Sequence, residues 1–148
     1  MLAAGTAILC ATSLATAGTA SASEESATNC NKTGWDECLT LYYNSSQTGS
    51  HTAFSEADHN LADNTYLSSG AGKGQVVKNN SASANFWGKS TGGRQEFAVI
   101  YYNSSYSGSC DAISVNWYAD KLHNTYNEDA SWQASESSFQ WAGCYIFS

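Results

Sequence analysis

Three histidines, His51, His59 and His123, come first for acid–base or metal chemistry, because imidazole titrates near neutrality and ligates transition metals. None stands in an H-E-x-x-H pair or at a ligand spacing from a carboxylate, so each reads as an isolated polar loop residue. A serine nucleophile on a G-x-S-x-G turn is absent. Gly70-x-Gly72-x-Gly74 has the glycines of a phosphate loop but lacks a following helix to hold the phosphate. The thirteen carboxylates offer many pairs, and a pair gains glycosidase meaning only from its separation in the fold. The chain reads as no enzyme.

Binding chemistry has more to work with. Five Trp and nine Tyr in a Ser/Asn-rich chain can build a flat stacking platform for sugar rings. Trp35, Trp87, Trp117 and Trp132 lie outside the apolar runs described below, so they would form it. Ser, Thr and Asn supply 47 of the 148 residues, whereas charged residues are only 13%. The formal charge of −7 argues against nucleic acid and anionic membranes, because phosphate contacts need clustered Lys and Arg. Hydrophobic residues at 42% exclude a disordered chain, and the absence of proline excludes Pro-rich linkers.

Residues 1–22 carry no charge and combine the short apolar run Ala7-Ile8-Leu9-Cys10-Ala11 with Ala20-Ser21-Ala22, as a secretory signal with an A-x-A cleavage site does. No Lys or Arg precedes that run, which suggests a translation start further upstream. Cleavage after Ala22 is expected, leaving a flexible lead over 23–29 and one domain over 30–148, secreted and free of the membrane. Four cysteines then remain, Cys30, Cys38, Cys110 and Cys144, with no C-x-x-C spacing. An even count in an exported chain of this size reads as two disulfides, for which three pairings exist.

The elements that must position these residues come in two copies. Leu41-Tyr42-Tyr43-Asn44-Ser45-Ser46-Gln47-Thr48-Gly49-Ser50 matches Ile100 to Ser109 at an offset of 59, with seven of ten positions identical. Leu61 to Tyr66 echoes Leu122 to Tyr126, and Asn79 to Ser83 echoes Asn127 to Ser131. The runs Leu39–Tyr43 and Phe97–Tyr102 are apolar-aromatic and end in Asn-Ser-Ser turns, as strands do. Gln75–Lys78 and Gln140–Phe147 are further strand candidates, and Glu56–Leu61 is the best short helical stretch. About eight short strands in two similar units predict an all-β sandwich of two Greek keys, the first over about 38–93 and the second over about 94–148.

Tyr101-x-x-x-x-Tyr106-x-Gly108 resembles the βγ-crystallin Greek-key signature, in which the glycine opens a tight hairpin and the aromatics form a corner over it. The first copy keeps Tyr42 and Gly49 but has Gln47 at the second aromatic position, and Ser83 and Ser131 look like the serines that close each motif. Cys30, Cys38 and the following Leu39-Thr40-Leu41-Tyr42-Tyr43-Asn44, with Val77 to Ser83, resemble the actinobacterial peptidase inhibitors typified by the Streptomyces metalloproteinase inhibitor. Asn31 departs from the proline that often follows the first cysteine there.

These resemblances imply a disulfide-braced βγ-crystallin-like sandwich, with Cys30–Cys38 closing a loop ahead of the first strand. Cys110–Cys144 would tie the start of the second repeat to the last strand. They also imply a secreted, monomeric inhibitor of an extracellular peptidase, most naturally a metallopeptidase. Candidate inhibitory loops are Ser68–Gly74, Phe86–Gly93 and the segment opening at Cys110, and no reactive bond is pinned. The alternative is an extracellular binding or structural module of the βγ-crystallin type, taking carbohydrate or weakly held Ca²⁺. Calcium wants hard oxygen donors. The two Asn/Asp-rich segments would offer Asn80, Ser83, Asp129 and Ser131; both lack the family's final serine, and the first supplies no negative charge. No other cofactor is expected.

Overall fold

The computed structural model describes residues 24–88, 96–136 and 143–148. The leader and its cleavage site fall outside these residues, as does the larger part of the Phe86–Gly93 loop. Nine strands occur among the described residues: β1 Glu25–Ser26, β2 Glu37–Asn44, β3 Thr48–Phe54, β4 Ser83–Gly88, β5 Glu96–Asn103, β6 Ser107–Ser114, β7 Trp117–Ala119, β8 Ser131–Glu136 and β9 Cys144–Phe147. They form a five-stranded sheet in the order β1-β3-β2-β4-β7 and a four-stranded sheet in the order β8-β5-β6-β9. The fold is an all-β, βγ-crystallin-like sandwich of two Greek keys.

Each key lends a piece of chain to the other's sheet. Segment β7 follows β6 in the second key but pairs with β4 of the first, Tyr118 opposite Asn85 and Ala119 opposite Ala84. The first key reciprocates with a single bridge, Asp58 to Trp132, made by hydrogen bonds of 2.9 and 2.8 Å in both directions. Leu61 N–H bonds Ala130 O at 2.9 Å, and Leu122 N–H bonds Ala82 O at 3.0 Å, so the exchange follows a twofold pseudosymmetry.

Alternation along the strands explains the core. Leu39 and Leu41 point inward with Phe54, Ala84 and Phe86 of the first sheet, and meet Ala98, Ile100, Ile113 and Trp132 of the second. The intervening Cys38, Thr40 and Tyr42 face outward, as a period of two requires. A chain segment then covers this outer face: Cys30–Lys32 forms a 3-10 turn, and Cys30 bonds Cys38 in a disulfide. The second disulfide, Cys110–Cys144, joins directly paired residues of β6 and the parallel strand β9.

Several elements differ from the sequence reading. Gln75–Lys78 forms no strand, only one bridge from Val76 to Thr65, because the glycine-rich insertion before it turns the chain too tightly for a ladder. Glu56–Leu61 is no helix; a 3-10 turn covers Leu61–Asp63 instead. Residues 25 and 26, within the lead expected to be flexible, pair with Phe54 and Ala53. Residues 140–142 fall outside the described residues, and the strand candidate that includes them is seen from Cys144 onward.

Candidate functional site

The repeated Asn-Ser-Ser turns build one corner per key. Ser46 and Gln47 both have positive φ, as do Ser105 and Tyr106, the backbone of a type I′ turn that suits the twist of a hairpin. Each corner is closed from the fourth strand of its key. Ser83 Oγ accepts from Gln47 N–H at 2.9 Å and donates to Asn44 O at 2.6 Å. Ser131 Oγ repeats this with Tyr106 N–H at 3.1 Å and Asn103 O at 2.7 Å. In the second key Tyr106 packs on Tyr101 at 6.1 Å between ring centroids. In the first key Gln47 brings no ring, and its Nε2 reaches Asp120 Oδ1 at 3.3 Å instead. At the corner without its aromatic, Gln47 borders two clefts.

Two clefts flank the cover segment on the outer face of the first sheet, with Asn29 and Gln47 bordering both. The smaller, about 160 Å³, is walled by Trp87, Trp117 and Tyr118 with the amides of Asn31, Asn85 and Asn116, and no charged residue lines it. Trp117 and Tyr118 stack at 5.7 Å and are 45% and 47% exposed, an aromatic surface open to solvent. Asn85 donates Nδ2 to Tyr42 OH at 3.2 Å while its buried Oδ1 has no partner. Turning the amide over would pair Oδ1 and strand Nδ2, so one polar atom of Asn85 stays open either way.

The larger cleft, about 750 Å³, lies beyond Asn29 and holds His51, Ser68 and Gly49. His51 Nδ1 is 3.0 Å from Ser68 Oγ, whose oxygen also accepts from the His51 backbone N–H at 2.8 Å. Its buried Nε2 has no partner. Burial lowers the imidazole below its ordinary value, against the raising effect of the Ala27 backbone, and so favours the neutral ring. Tyr42 joins the two clefts: its hydroxyl accepts from Asn29 Nδ2 as well as from Asn85, and burial raises the phenol, keeping it protonated. The Ser68 oxygen is thus engaged by both the backbone and the imidazole of His51.

The residues expected to hold calcium are placed as follows. Ser83 and Ser131 lie on strands of different sheets with their hydroxyls engaged in the corners. Asp129 is fully buried and accepts from Ser81 N–H at 2.8 Å and Ser81 Oγ at 2.7 Å. Asn80 donates its amide to Val76 O and Lys78 O at 3.1 and 3.2 Å. Among the described residues no cluster of three or more His, Cys, Asp or Glu could hold a metal ion.

Of the platform tryptophans, Trp132 is core, Trp35 and Trp87 pack on the Cys30–Cys38 disulfide, and Trp117 stands at the rim. Tyr118 and the amides beside Trp117 carry no sequence signal, because only the lending of β7 to the other sheet brings them there. Of the candidate inhibitory loops, Cys110 sits inside β6, paired on both sides, which leaves no free loop at that point. Ser68–Gly74 is exposed for most of its length and tightly turned: Ala71 O accepts from Ser50 N–H at 2.8 Å, and Gly72 lies on the Tyr43 ring.

No family model matches the chain, and no curated protein does. Two solved structures are similar to it. The N-terminal domain of protein S is 20% identical, with a TM-score of 0.45, covering 68% of this chain and 97% of that one. A βγ-crystallin domain from Flavobacterium johnsoniae is 19% identical, with the same TM-score of 0.45, covering 69% of this chain and 98% of that one. Neither touches the resemblance to peptidase inhibitors, and the fold assignment rests on the strand exchange described above.

Proposed function

We propose that this chain is a secreted, non-catalytic binding module for uncharged saccharides, which it takes on the outer face of its first sheet. The observation that carries this reading is the exposed Trp117–Tyr118 stack beside an Asn85 amide with one unpaired polar atom, in a cleft lined only by neutral groups. Sugar rings present C–H faces that pack on aromatic rings, and hydroxyls that need amide donors and acceptors. Asn29 and Gln47 border both clefts, so a linear oligosaccharide can continue from the aromatic cleft towards His51. Two disulfides fit an oxidising compartment.

Affinity electrophoresis through gels cast with neutral polysaccharides tests this. Retardation of the wild type, reduced by about tenfold in apparent affinity in Trp117→Ala, is the expected result. Equal mobility of both proteins in every gel contradicts it. The tenfold scale is the upper end of the about 0.5–1.5 kcal/mol that one aromatic pair contributes, since about 1.4 kcal/mol is a factor of ten.

A second reading, inhibition of an extracellular metallopeptidase, draws on one observation: the Ser68–Gly74 loop is exposed yet pinned. A pinned loop loses less entropy on docking. Against it, the loop folds back through hydrogen bonds from Lys73 N–H to Gly70 O and from Gln75 N–H to Gly72 O, whereas a protease cleft takes an extended strand. Titration against thermolysin-like, subtilisin-like and trypsin-like enzymes separates the two readings, and the saccharide reading expects no inhibition at micromolar protein.

A further inference from the structure

Two hollows lie at the junctions between the keys, about 410 and 330 Å³, and they are pseudosymmetric copies of one another. Tyr43, Asn44 and Ser45 in the first stand where Tyr102, Asn103 and Ser104 stand in the second, and Ala82 stands where Ala130 does. These are the places where paired Asn/Asp-rich segments of this fold would present oxygens to a calcium ion. The residues here do not fit that ion. Ala82 and Ala130 offer no side-chain oxygen, Ser83 and Ser131 are spent on the corners, the first hollow is lined by no carboxylate, and the second has a single one, Glu128, which shares it with Lys78.

Instead the chain brings lysines. In the second hollow Lys78 Nζ donates to Ser104 Oγ at 2.8 Å and to Asn60 Oδ1 at 3.2 Å, and Ser104 Oγ donates to the same Asn60 oxygen at 3.2 Å. Lys78 and Asn60 belong to the first key and Ser104 to the second, so one ammonium fastens both. The pseudosymmetry equates Lys78 with Tyr126, and Asn60, which precedes Leu61, with Lys121, which precedes Leu122. At the first hollow that equivalent pair again contains one lysine, contributed from the other side: Lys121 Nζ lies 4.7 Å over the Tyr126 ring. A divalent ion sharing Ser104 Oγ at about 2.4 Å would stand within about 5 Å of the Lys78 ammonium and be repelled by it.

We infer that Lys78 supplies internally the positive charge that a calcium ion would bring to the second hollow, so that the two keys are joined there without a divalent cation. The inference is independent of the saccharide reading.

Thermal unfolding of the intact exported protein, in excess calcium and in chelator, tests it alongside calorimetric titration with calcium chloride. The wild-type midpoints should coincide, and the titration should show no binding heat. Lys78→Gln keeps a donor but loses the charge, and should lower the midpoint by about 3–6 °C, while Lys32→Gln, at the exposed 3-10 turn, should leave it unchanged. A wild-type midpoint raised by calcium overturns the inference, as does a Lys78→Gln midpoint equal to wild type. Should Lys78→Gln fail to fold, the wild-type calcium titration still decides.

Discussion

Asp129 is a carboxylic acid held far from its ordinary state. Burial raises its carboxyl from 3.8 to about 7, against the lowering effect of the hydrogen bonds from Ser81. Ser81 Oγ also meets Tyr66 OH at 2.7 Å, so a buried Tyr66–Ser81–Asp129 chain links the two keys. The folded state keeps a proton on Asp129 that the unfolded chain has released above about pH 4. This contribution to stability is therefore whole below about pH 4 and is lost as pH rises through about 7. Three units correspond to roughly 4 kcal/mol. Denaturant unfolding between pH 4 and 8 should show stability falling with pH. Asp129→Asn keeps the acceptor for Ser81 N–H and should flatten that slope; an equal slope in the variant would show that another group sets it.

Among the elements, the corners and the pinned loop carry the most consequence per residue. Ser131 Oγ satisfies two backbone groups at once, so Ser131→Ala should cost about 1–3 kcal/mol in unfolding free energy, and Ser83→Ala a similar amount. Gly72 has positive φ, and a Cβ there would come 2.2 Å from the Tyr43 ring. Gly72→Ala should therefore destabilise by about 1–3 kcal/mol, visible as a lower denaturant midpoint with an unchanged slope. The corners were legible in the sequence because the repeat writes them twice, Tyr42 to Ser50 and Tyr101 to Ser109, with a serine at the matching downstream place. The lending of β7 was not legible. Trp117-Tyr118-Ala119 is three residues long, and local pattern says nothing about which sheet such a piece will join. The aromatic–amide cleft stayed hidden for the same reason, since Asn85 and Tyr118 meet only across that pairing. Gln47 is visible in the sequence as a departure from the signature, and the fold gives it meaning by placing it at the border of both clefts.

At the scale of the molecule, the exchange of β7 and of the Asp58–Trp132 bridge means that neither key completes its own sheet alone. Unfolding should accordingly be a single cooperative transition, and calorimetric and van't Hoff enthalpies should agree. The disulfides act on this whole through the unfolded chain. Replacing Cys110 and Cys144 by Ala should cost about 2–4 kcal/mol, and binding on the opposite sheet should survive it. Among the described residues no helix is long and apolar enough to cross a membrane.

The central claim is that the outer face of the first sheet is the working surface. Amide and indole chemical-shift mapping by NMR, during titration with a neutral oligosaccharide that retards the protein, tests it most directly. Shifts should be confined to Asn29, Asn85, Trp87, Asn116, Trp117 and Tyr118, extending to His51 with longer ligands. Shifts confined to the Ser68–Gly74 loop or to the second sheet, with the Trp117 indole unmoved, would contradict it.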